Sequence, residues 1–139
     1  MNNWNEPRLF DISVHPDPRG QLGVIEGQNL PFEIKRLYYL FDVPIGAIRG
    51  EHGHRTLQQA IICLNGSVEI ALNDGRSEQI FNLSTPREAL YIPPGLWRRL
   101  KFRAPETIVC VLASAPFEKS DYIYDFEEFR RFRNIISDP

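Results

Sequence analysis

Short apolar or alternating segments recur along the chain between residues that favour turns. Segments of this length with a period of two are typical of β-strands, and a series of them separated by turn signals indicates an antiparallel β fold. The pattern predicts an all-β domain with strands at residues 23–26, 33–41, 59–64, 67–72, 89–92 and 107–113.

The connections between these segments carry signals of their own. Asn65-Gly66 between two apolar runs is typical of a β-hairpin, because both central residues of a type I′ turn need positive φ. Residues 73–75, Asn-Asp-Gly, mark the next reversal. We therefore expect a meander of sequential strands that begins with a strand over residues 49–55.

Aromatic side chains recur at helical spacing among acidic and basic residues near the C-terminus, at Tyr122, Phe126, Phe129 and Phe132. An apolar stripe on an otherwise charged segment is typical of a short amphipathic helix docked on the outside of a domain. We expect this stripe to serve packing rather than ligand binding.

Length and charge narrow the possible partners. A chain of 139 residues can bury one core, so the prediction is a single domain over residues 1–139. The formal net charge of −2 is dispersed without a basic run, which argues against nucleic acid as a partner. No charged and apolar leader and no membrane-length apolar stretch is present, so we expect no membrane association and a cytoplasmic location.

Both cysteines, Cys63 and Cys110, lie within apolar runs. A cysteine in such a run most often behaves as a small buried hydrophobe. We expect two free and unreactive thiols.

Two of the three histidines, His52 and His54, are separated by one residue. On an extended strand they project from the same face toward one site. Imidazole can take and give protons near neutral pH, and it is also the commonest metal ligand. The pair therefore indicates either acid/base catalysis or metal binding.

The spacing of His52 and His54, with Gln59 and Gly66 downstream, resembles the first motif of the cupin superfamily, whose members are small β-barrels that bind a metal through His-x-His and a following Glu. Residues 93–98, Pro-Pro-Gly-Leu-Trp-Arg, resemble the second motif, in which the last position is His. Here the Glu position holds the weak ligand Gln59 and the last holds the permanent cation Arg98. We expect no metal and no other cofactor.

A longer series of motifs resembles the sugar nucleotide 3,4-ketoisomerases, cupin enzymes also called FdtA-like or WxcM-like proteins. The resemblance covers nearly the whole chain and implies a jelly-roll β-barrel with a short C-terminal helix. It also implies that a dTDP-linked 4-keto-6-deoxy sugar is converted to its 3-keto isomer, on the way to 3-amino-3,6-dideoxy sugars. The segments that carry it are residues 17–22, 25–26, 34–42, 49–54, 63–67, 91–97, 111–114 and 121–123.

The chemistry implied by this resemblance matches the histidine pair. A ketone at C4 acidifies the proton on C3, so a base near neutral pH can form an enediol or enediolate, and a second group can exchange protons with the oxygens. We assign His52 as the carbon base and His54 as its acid or oxygen-protonating partner, and the reverse order stays open. The alternative is that one of them is a satisfied core histidine.

Substrate-binding candidates come from cationic and aromatic residues. Arg36 and Tyr38 share one face of their strand, where the guanidinium could hold a diphosphate and the phenol a sugar oxygen. The alternative is an exposed arginine and a tyrosine in the wall of the domain. Arg49 and Arg55 flank the histidines and resemble positions of the family's active-site strand, or are solvated surface charges.

Two further arginines are candidate substrate ligands. Arg19 lies in an Asp-x-Arg-Gly turn, which can also serve only as a turn. Arg98 stands where some relatives carry His, and this departure leaves the configuration of the product at C4 open. His15, beside Pro16, is expected to be an ordinary surface histidine.

The N-terminal segment over residues 4–14 is rich in apolar side chains. Such a terminal segment needs burial to be ordered. The resembled enzymes pair through their β-sheets and often exchange an N-terminal strand, so we expect a homodimer formed by strand exchange. The alternative is that the segment folds back on its own domain.

Two other functions remain open from the sequence. One is a non-catalytic carbohydrate-binding cupin, which would bind ligand without exchanging the C3 hydrogen. The other is a metal-dependent cupin enzyme, which would lose activity on chelation.

Overall fold

The fold is built from two five-stranded antiparallel sheets and a separate two-stranded hairpin, as described over residues 4–136 by a computed structural model. Short 3-10 helices cover Gly27–Asn29 and Lys119–Asp121, and the α-helix α1 covers Phe126–Phe132. The strands are Arg8–Asp11 (β1), Ser13–Asp17 (β2), Gly20–Val24 (β3), Arg36–Leu40 (β4), Ile48–His54 (β5), Gln59–Asn65 (β6), Val68–Asn73 (β7), Glu78–Leu83 (β8), Glu88–Ile92 (β9), Trp97–Phe102 (β10), Ile108–Ala113 (β11) and Tyr122–Ile123 (β12).

The two large sheets share one apolar core. The first has the order β1-β9-β6-β11-β4 and the second the order β12-β5-β10-β7-β8. Ile61 of β6 and Leu100 of β10 belong to the same buried cluster, so the inner faces of the sheets pack on each other. Backbone hydrogen bonds join no strand of one sheet to the other within residues 4–136, so the expected barrel is an open sandwich with the jelly-roll arrangement.

All six strands predicted from apolar segments overlap observed strands, namely β3, β4, β6, β7, β9 and β11, and the histidine segment forms β5. The apolar pattern did not identify β2, β8, β10 and β12, whereas β1 lies within residues 4–14, which we expected to add to a sheet as a strand. In β10 the buried Leu100 and Phe102 alternate with Arg99 and Lys101, so a strand with a charged outer face was not recognised.

The predicted hairpin at Asn65-Gly66 is wrong. Strands β6 and β7 flank this turn but lie in different sheets, and Asn65 does not have the positive φ that a type I′ turn needs. The Asn65 side chain instead donates to the Glu106 carbonyl at 2.9 Å, which fixes a corner between the sheets. The predicted meander is therefore wrong at this point, whereas residues 73–75 do join the paired strands β7 and β8.

The predicted C-terminal helix is confirmed over a shorter range, because α1 begins at Phe126. Asp125 caps it by accepting a hydrogen bond from the Glu128 backbone at 3.1 Å. Phe129 is fully buried against the outer face of β5. Tyr122 does not belong to the helix, since it lies in β12, which pairs with β5.

The N-terminal segment folds onto its own domain in this chain. Strand β1 pairs with β9, so the expectation that this part of the segment joins a neighbour's sheet is not met here. The sheet edge beside β9 accepts it because Phe10 and Trp4 can then pack near Tyr91. The β2–β3 hairpin bonds only within itself among the described strands.

Other sequence expectations concern the thiols and the membrane. Cys63 and Cys110 are free and buried, as predicted, and burial raises the pKa of both thiols. Among the helices of residues 4–136, none combines the length and apolar character that a bilayer crossing requires.

Candidate active site

Strand β5 presents His52 and His54 toward the interior and Gly53 toward α1. The two imidazole rings meet edge to face with centroids 4.7 Å apart. A β-carbon at Gly53 would lie 2.7 Å from the Phe129 ring, so only glycine lets the helix pack this closely behind the histidines. The packing of α1 and the position of the histidine pair therefore both depend on Gly53.

A bulge in β5 brings Arg98 of β10 over the site. The register between the two strands shifts between Arg98 and Leu100, next to Gly50. Gly50 has a φ of 69°, which strains other residues, and a β-carbon there would lie 3.5 Å from the Arg98 guanidinium. The bulge thus creates the place that the guanidinium occupies.

A cavity of about 260 Å³ opens beside the histidines between the two sheets. Its lining combines cationic side chains, two tyrosines and one imidazole, which suits a polar anionic ligand better than an apolar one. The lining residues are Arg36, Tyr38, Leu40, Arg49, Gly50, His52, Arg98 and Tyr122.

Both histidines are neutral at pH 7. Burial, with the positive charges of Arg98 and Arg36, lowers the pKa of His52 to about 2, and His54 adds to the effect. Burial, Arg98 and Arg36 likewise lower the pKa of His54 to about 3. The two imidazoles can therefore act as proton acceptors. Any anion that offsets the charges of the arginines would raise the pKa of both imidazoles and make them stronger bases.

The tyrosine hydroxyls are held by donors. Arg98 Nη2 donates to the Tyr38 hydroxyl at 2.8 Å, and Gln59 Nε2 donates to it at 3.0 Å. Arg36 Nη2 donates to the Tyr122 hydroxyl at 3.1 Å. Because each phenol oxygen accepts in these bonds, its own proton stays available to a ligand oxygen.

Several buried nitrogens at the site have no hydrogen-bond partner, which is costly unless a ligand supplies one. They include Nε of Arg36, Nε and Nη1 of Arg98, and Nε2 of His52. Unpartnered guanidinium donors next to a cavity favour a ligand with anionic or carbonyl oxygens.

The structure brings together most of the predicted site. His52, Arg36, Tyr38, Arg49 and Arg98 all line the cavity, and His54 lies directly behind His52. The interior placement of Arg36 and Tyr38 follows from the alternation of β4, whose other face exposes Leu37 and Tyr39.

Arg19 and Arg55 lie outside the cavity of this chain, contrary to expectation. Arg19 is exposed at the β2–β3 turn, where its Nη2 pairs with Asp17 Oδ2 at 3.1 Å. Arg55 donates to the Ser120 carbonyl at 3.2 Å and to Glu128 at 3.3 Å, so it joins β5 to the C-terminal segment. The alternation of β5 explains this, because Arg55 follows His54 and points to the opposite side.

Two residues of the site, Asp121 and Tyr122, were not predicted from the sequence. The Tyr122 ring lies 4.9 Å from His52 and 4.4 Å from His54, between centroids. Asp121 Oδ2 lies 3.4 Å from Nδ1 of His54. The helical spacing of the aromatic residues concealed both, and the signal that could have revealed them is the Asp-Tyr-Ile segment of the family resemblance.

The residues around the histidines do not fit a divalent metal. Within residues 4–136 no three His, Cys, Asp or Glu side chains are grouped to hold one. Gln59 donates its amide to Tyr38, and Arg98, which holds the motif position of the fourth ligand, places a guanidinium beside the Tyr38 hydroxyl. Two imidazoles beside a guanidinium make a poor donor set for zinc or iron.

Comparison with known proteins identifies the family. Residues 5–134 match the family described as FdtA: WxcM-like, C-terminal. The chain belongs to the FdtA family. It is 38% identical over 128 residues to the TDP-4-oxo-6-deoxy-alpha-D-glucose-3,4-oxoisomerase of Aneurinibacillus thermoaerophilus, with 91% of this chain and 92% of that protein covered.

Solved structures of FdtA-like enzymes share the fold. QdtA, a sugar 3,4-ketoisomerase from Thermoanaerobacterium thermosaccharolyticum in complex with TDP, is 36% identical with a TM-score of 0.90, covering 94% of this chain and 96% of that one. A His-to-Asn variant of QdtA in complex with TDP-4-keto-6-deoxyglucose is 35% identical with a TM-score of 0.89, with the same coverage. The expected cupin-type jelly roll is thereby confirmed.

Proposed function

We propose that this chain is an isomerase that converts dTDP-4-keto-6-deoxy-D-glucose to the dTDP-linked 3-keto-6-deoxy hexose. The observation that carries the proposal is the neutral imidazole of His52, which lies in a cavity lined by three arginines. An oxoisomerase 38% identical over nearly the whole chain supports the substrate class.

His52 is the carbon base in this proposal, because it is the histidine that lines the cavity. It takes the proton from C3, the C3–H electron pair becomes the C3–C4 double bond, and the C4 carbonyl becomes the enediol or enediolate oxygen. Return of a proton to C4, with loss of the proton from the oxygen on C3, completes the shift of the carbonyl. The reaction is balanced without an external oxidant or reductant.

The oxygens need a separate proton shuttle. Sequence analysis assigned it to His54, which lies behind His52 and does not line the cavity. Tyr38 and Tyr122 do line it, and each retains a hydroxyl proton. Burial raises the pKa of Tyr122, which keeps that hydroxyl protonated at neutral pH. We infer that a tyrosine passes protons to the sugar oxygens and that His54 supports the process from the second layer.

The arginines of the cavity bind the substrate and also affect the pKa of His52. Arg36 and Arg98 have unpartnered N–H groups that can donate hydrogen bonds to a diphosphate, and the exposed Arg49 adds a third cation. A diphosphate beside them would also offset the charges that lower the pKa of His52. Substrate binding would thus raise the pKa of the base toward neutrality, where it is most effective.

The test is isomerisation in deuterated water, with and without chelator, followed by NMR. We expect the 3-keto product, deuterium on carbon, and activity that exhaustive chelation leaves unchanged. Binding without carbon-bound deuterium would indicate the carbohydrate-binding module instead. Loss of activity on chelation with recovery on adding zinc, iron or manganese would indicate the metal-dependent enzyme.

We also infer that the product supplies 3-amino-3,6-dideoxy sugar synthesis, since a 3-keto group is where an amino group can be introduced.

We further infer that the chain works as a homodimer in the cytoplasm. The dimer is supported by an apolar groove of about 510 Å³ on the outer face of the first sheet. Leu37 and Leu64 line it and are 56% and 47% exposed. Exposed apolar area of this kind is typical of an interface. Two free thiols suit a reducing compartment.

A further inference from the structure

Asp121 faces the imidazole of His54 from the neighbouring segment. Its Oδ2 atom lies 3.4 Å from His54 Nδ1, and both side chains are largely buried, at 12% and 4% exposure. Both ring nitrogens of His54 otherwise have no hydrogen-bond partner. The Asp121 carboxylate is therefore the hydrogen-bond acceptor that faces Nδ1 of His54.

Backbone and hydroxyl donors fix the direction of this carboxylate. Thr56 donates to Asp121 Oδ1 from its backbone and from its hydroxyl, both at 2.7 Å, and the Leu57 backbone donates to Oδ2 at 3.2 Å. Asp121 ends the second 3-10 helix and directly precedes β12, which pairs with β5, so the carboxylate is held next to the strand that carries the imidazole. Asp121 is therefore preorganised against His54.

An ionised carboxylate only accepts hydrogen bonds, and a neutral imidazole carries a single N–H. Both groups are therefore satisfied when the nitrogen that faces Asp121 carries the proton and the lone pair lies on Nε2. The other titratable or charged groups near His54 are His52, Tyr122, Arg36 and Arg98, none of which offers a carboxylate. A separation of 3.4 Å is long for a hydrogen bond, and such contacts commonly shorten in the substrate complex.

We propose that Asp121 is a positioning residue that holds His54 as the Nδ1–H tautomer and so keeps the Nε2 lone pair available as a base beside His52. The tautomer itself is a property of the free protein. Its effect on turnover rests on the proposed isomerase function.

The test is the tautomer of His54, measured by long-range nitrogen–proton NMR correlations on the full-length protein with labelled histidine. The chain has only three histidines, and His54→Asn assigns the signals by their loss. We expect Nδ1–H in the wild type. In Asp121→Asn the amide oxygen can still accept from Thr56 and the amide nitrogen can donate to His54 Nδ1, while the Leu57 backbone N–H loses its acceptor. We therefore expect the Nε2–H tautomer.

The matched control is Asp125→Asn, the same change four residues along, because asparagine caps a helix as well as aspartate does. It should leave the tautomer and turnover unchanged. Asp121→Asn should lower kcat by about tenfold or more with a smaller change in KM, since an aspartate that sets the tautomer of a histidine supporting the base acts in the transition state.

An Nε2–H tautomer in the wild-type protein would overturn the inference without any variant. A switched tautomer with unchanged kcat would overturn the positioning role. An Nδ1–H tautomer that switches in Asp121→Asn, in a protein that does not isomerise the sugar even as wild type, would uphold the tautomer and reject the proposed function.

Discussion

At the scale of single residues, the site works through neighbours that change what an imidazole can do. His52 and His54 are the same residue type on the same strand, yet the structure gives them different positions. His52 lines the cavity, whereas His54 is enclosed by His52, Tyr122 and Asp121. The different roles that we propose for the two histidines therefore follow from their surroundings.

We expect His52→Asn to keep the fold and to lower turnover by about a hundred- to ten-thousand-fold, the usual contribution of a general base. His54→Asn should also lower turnover, but by less. The matched control is His15→Asn, because His15 is exposed on the β2–β3 hairpin, where its Nε2 lies 3.3 Å from the Ser13 hydroxyl. Near-normal kcat in both site variants would disprove the acid/base assignment.

At the scale of secondary structure elements, β5 holds the site because each of its faces has a separate partner. The inner face presents the histidines, and the outer face receives Phe129 of α1 at Gly53. The helix is short and begins with an Asp125 cap, so its position depends on tertiary contacts, of which this one is with β5. Packing outside the sheet is thereby coupled to geometry inside it.

We expect Gly53→Ala to destabilise the fold by about 1–3 kcal/mol and to lower activity, because the added methyl group would overlap Phe129. The measurement is urea unfolding together with kcat. The control is Gly23→Ala in β3, where a β-carbon would meet Ile12 at an ordinary 3.6 Å. Equal unfolding midpoints for the two variants would show that the close approach of Phe129 does not constrain β5.

At the scale of the whole molecule, burying two neutral histidines makes stability depend on pH. The pKa values of about 2 and about 3 lie far below the ordinary value of 6.5, so the unfolded chain binds protons that the folded chain does not. As far as this pair determines it, the free energy of unfolding is therefore highest above about pH 6.5 and decreases as the pH falls.

Each histidine should contribute a slope of roughly 1.4 kcal/mol per pH unit below about pH 6, and the pair about twice that. Urea unfolding between pH 7 and pH 5, at constant protein concentration, measures it. His52→Asn should remove about half of the slope. A stability that is flat over this range would contradict the buried neutral pair.

The proposed dimer is also a property of the whole molecule. We expect Leu37→Glu to convert a dimer at micromolar concentration to monomer, because a charge placed in an apolar interface is left without solvation. Light scattering measures the mass, and Ile80→Glu on the exposed face of the second sheet is the control. A well-behaved monomer for the unmodified chain would refute the assembly and leave the histidine chemistry untouched.

The sequence by itself determined the local features of this protein. The period of two predicted six strands, and the spacing of one residue predicted that His52 and His54 share a face. The alternation of β4 correctly predicted that Arg36 and Tyr38 face the cavity. These inferences succeeded because a strand's side-chain direction depends only on neighbouring residues. The motif series also predicted the family that the comparisons confirm.

Only the tertiary structure decided which distant residues complete the site. The pairing of β12 with β5 brings Asp121 and Tyr122 to the histidines, and the placement of β6 and β7 in different sheets replaces the expected hairpin at Asn65. Sheet membership is set by long-range packing around a common core, which local periodicity does not encode. Arg19 lies on the separate β2–β3 hairpin, which the fold places outside the cavity, whereas local alternation after His54 already directs Arg55 away from the site.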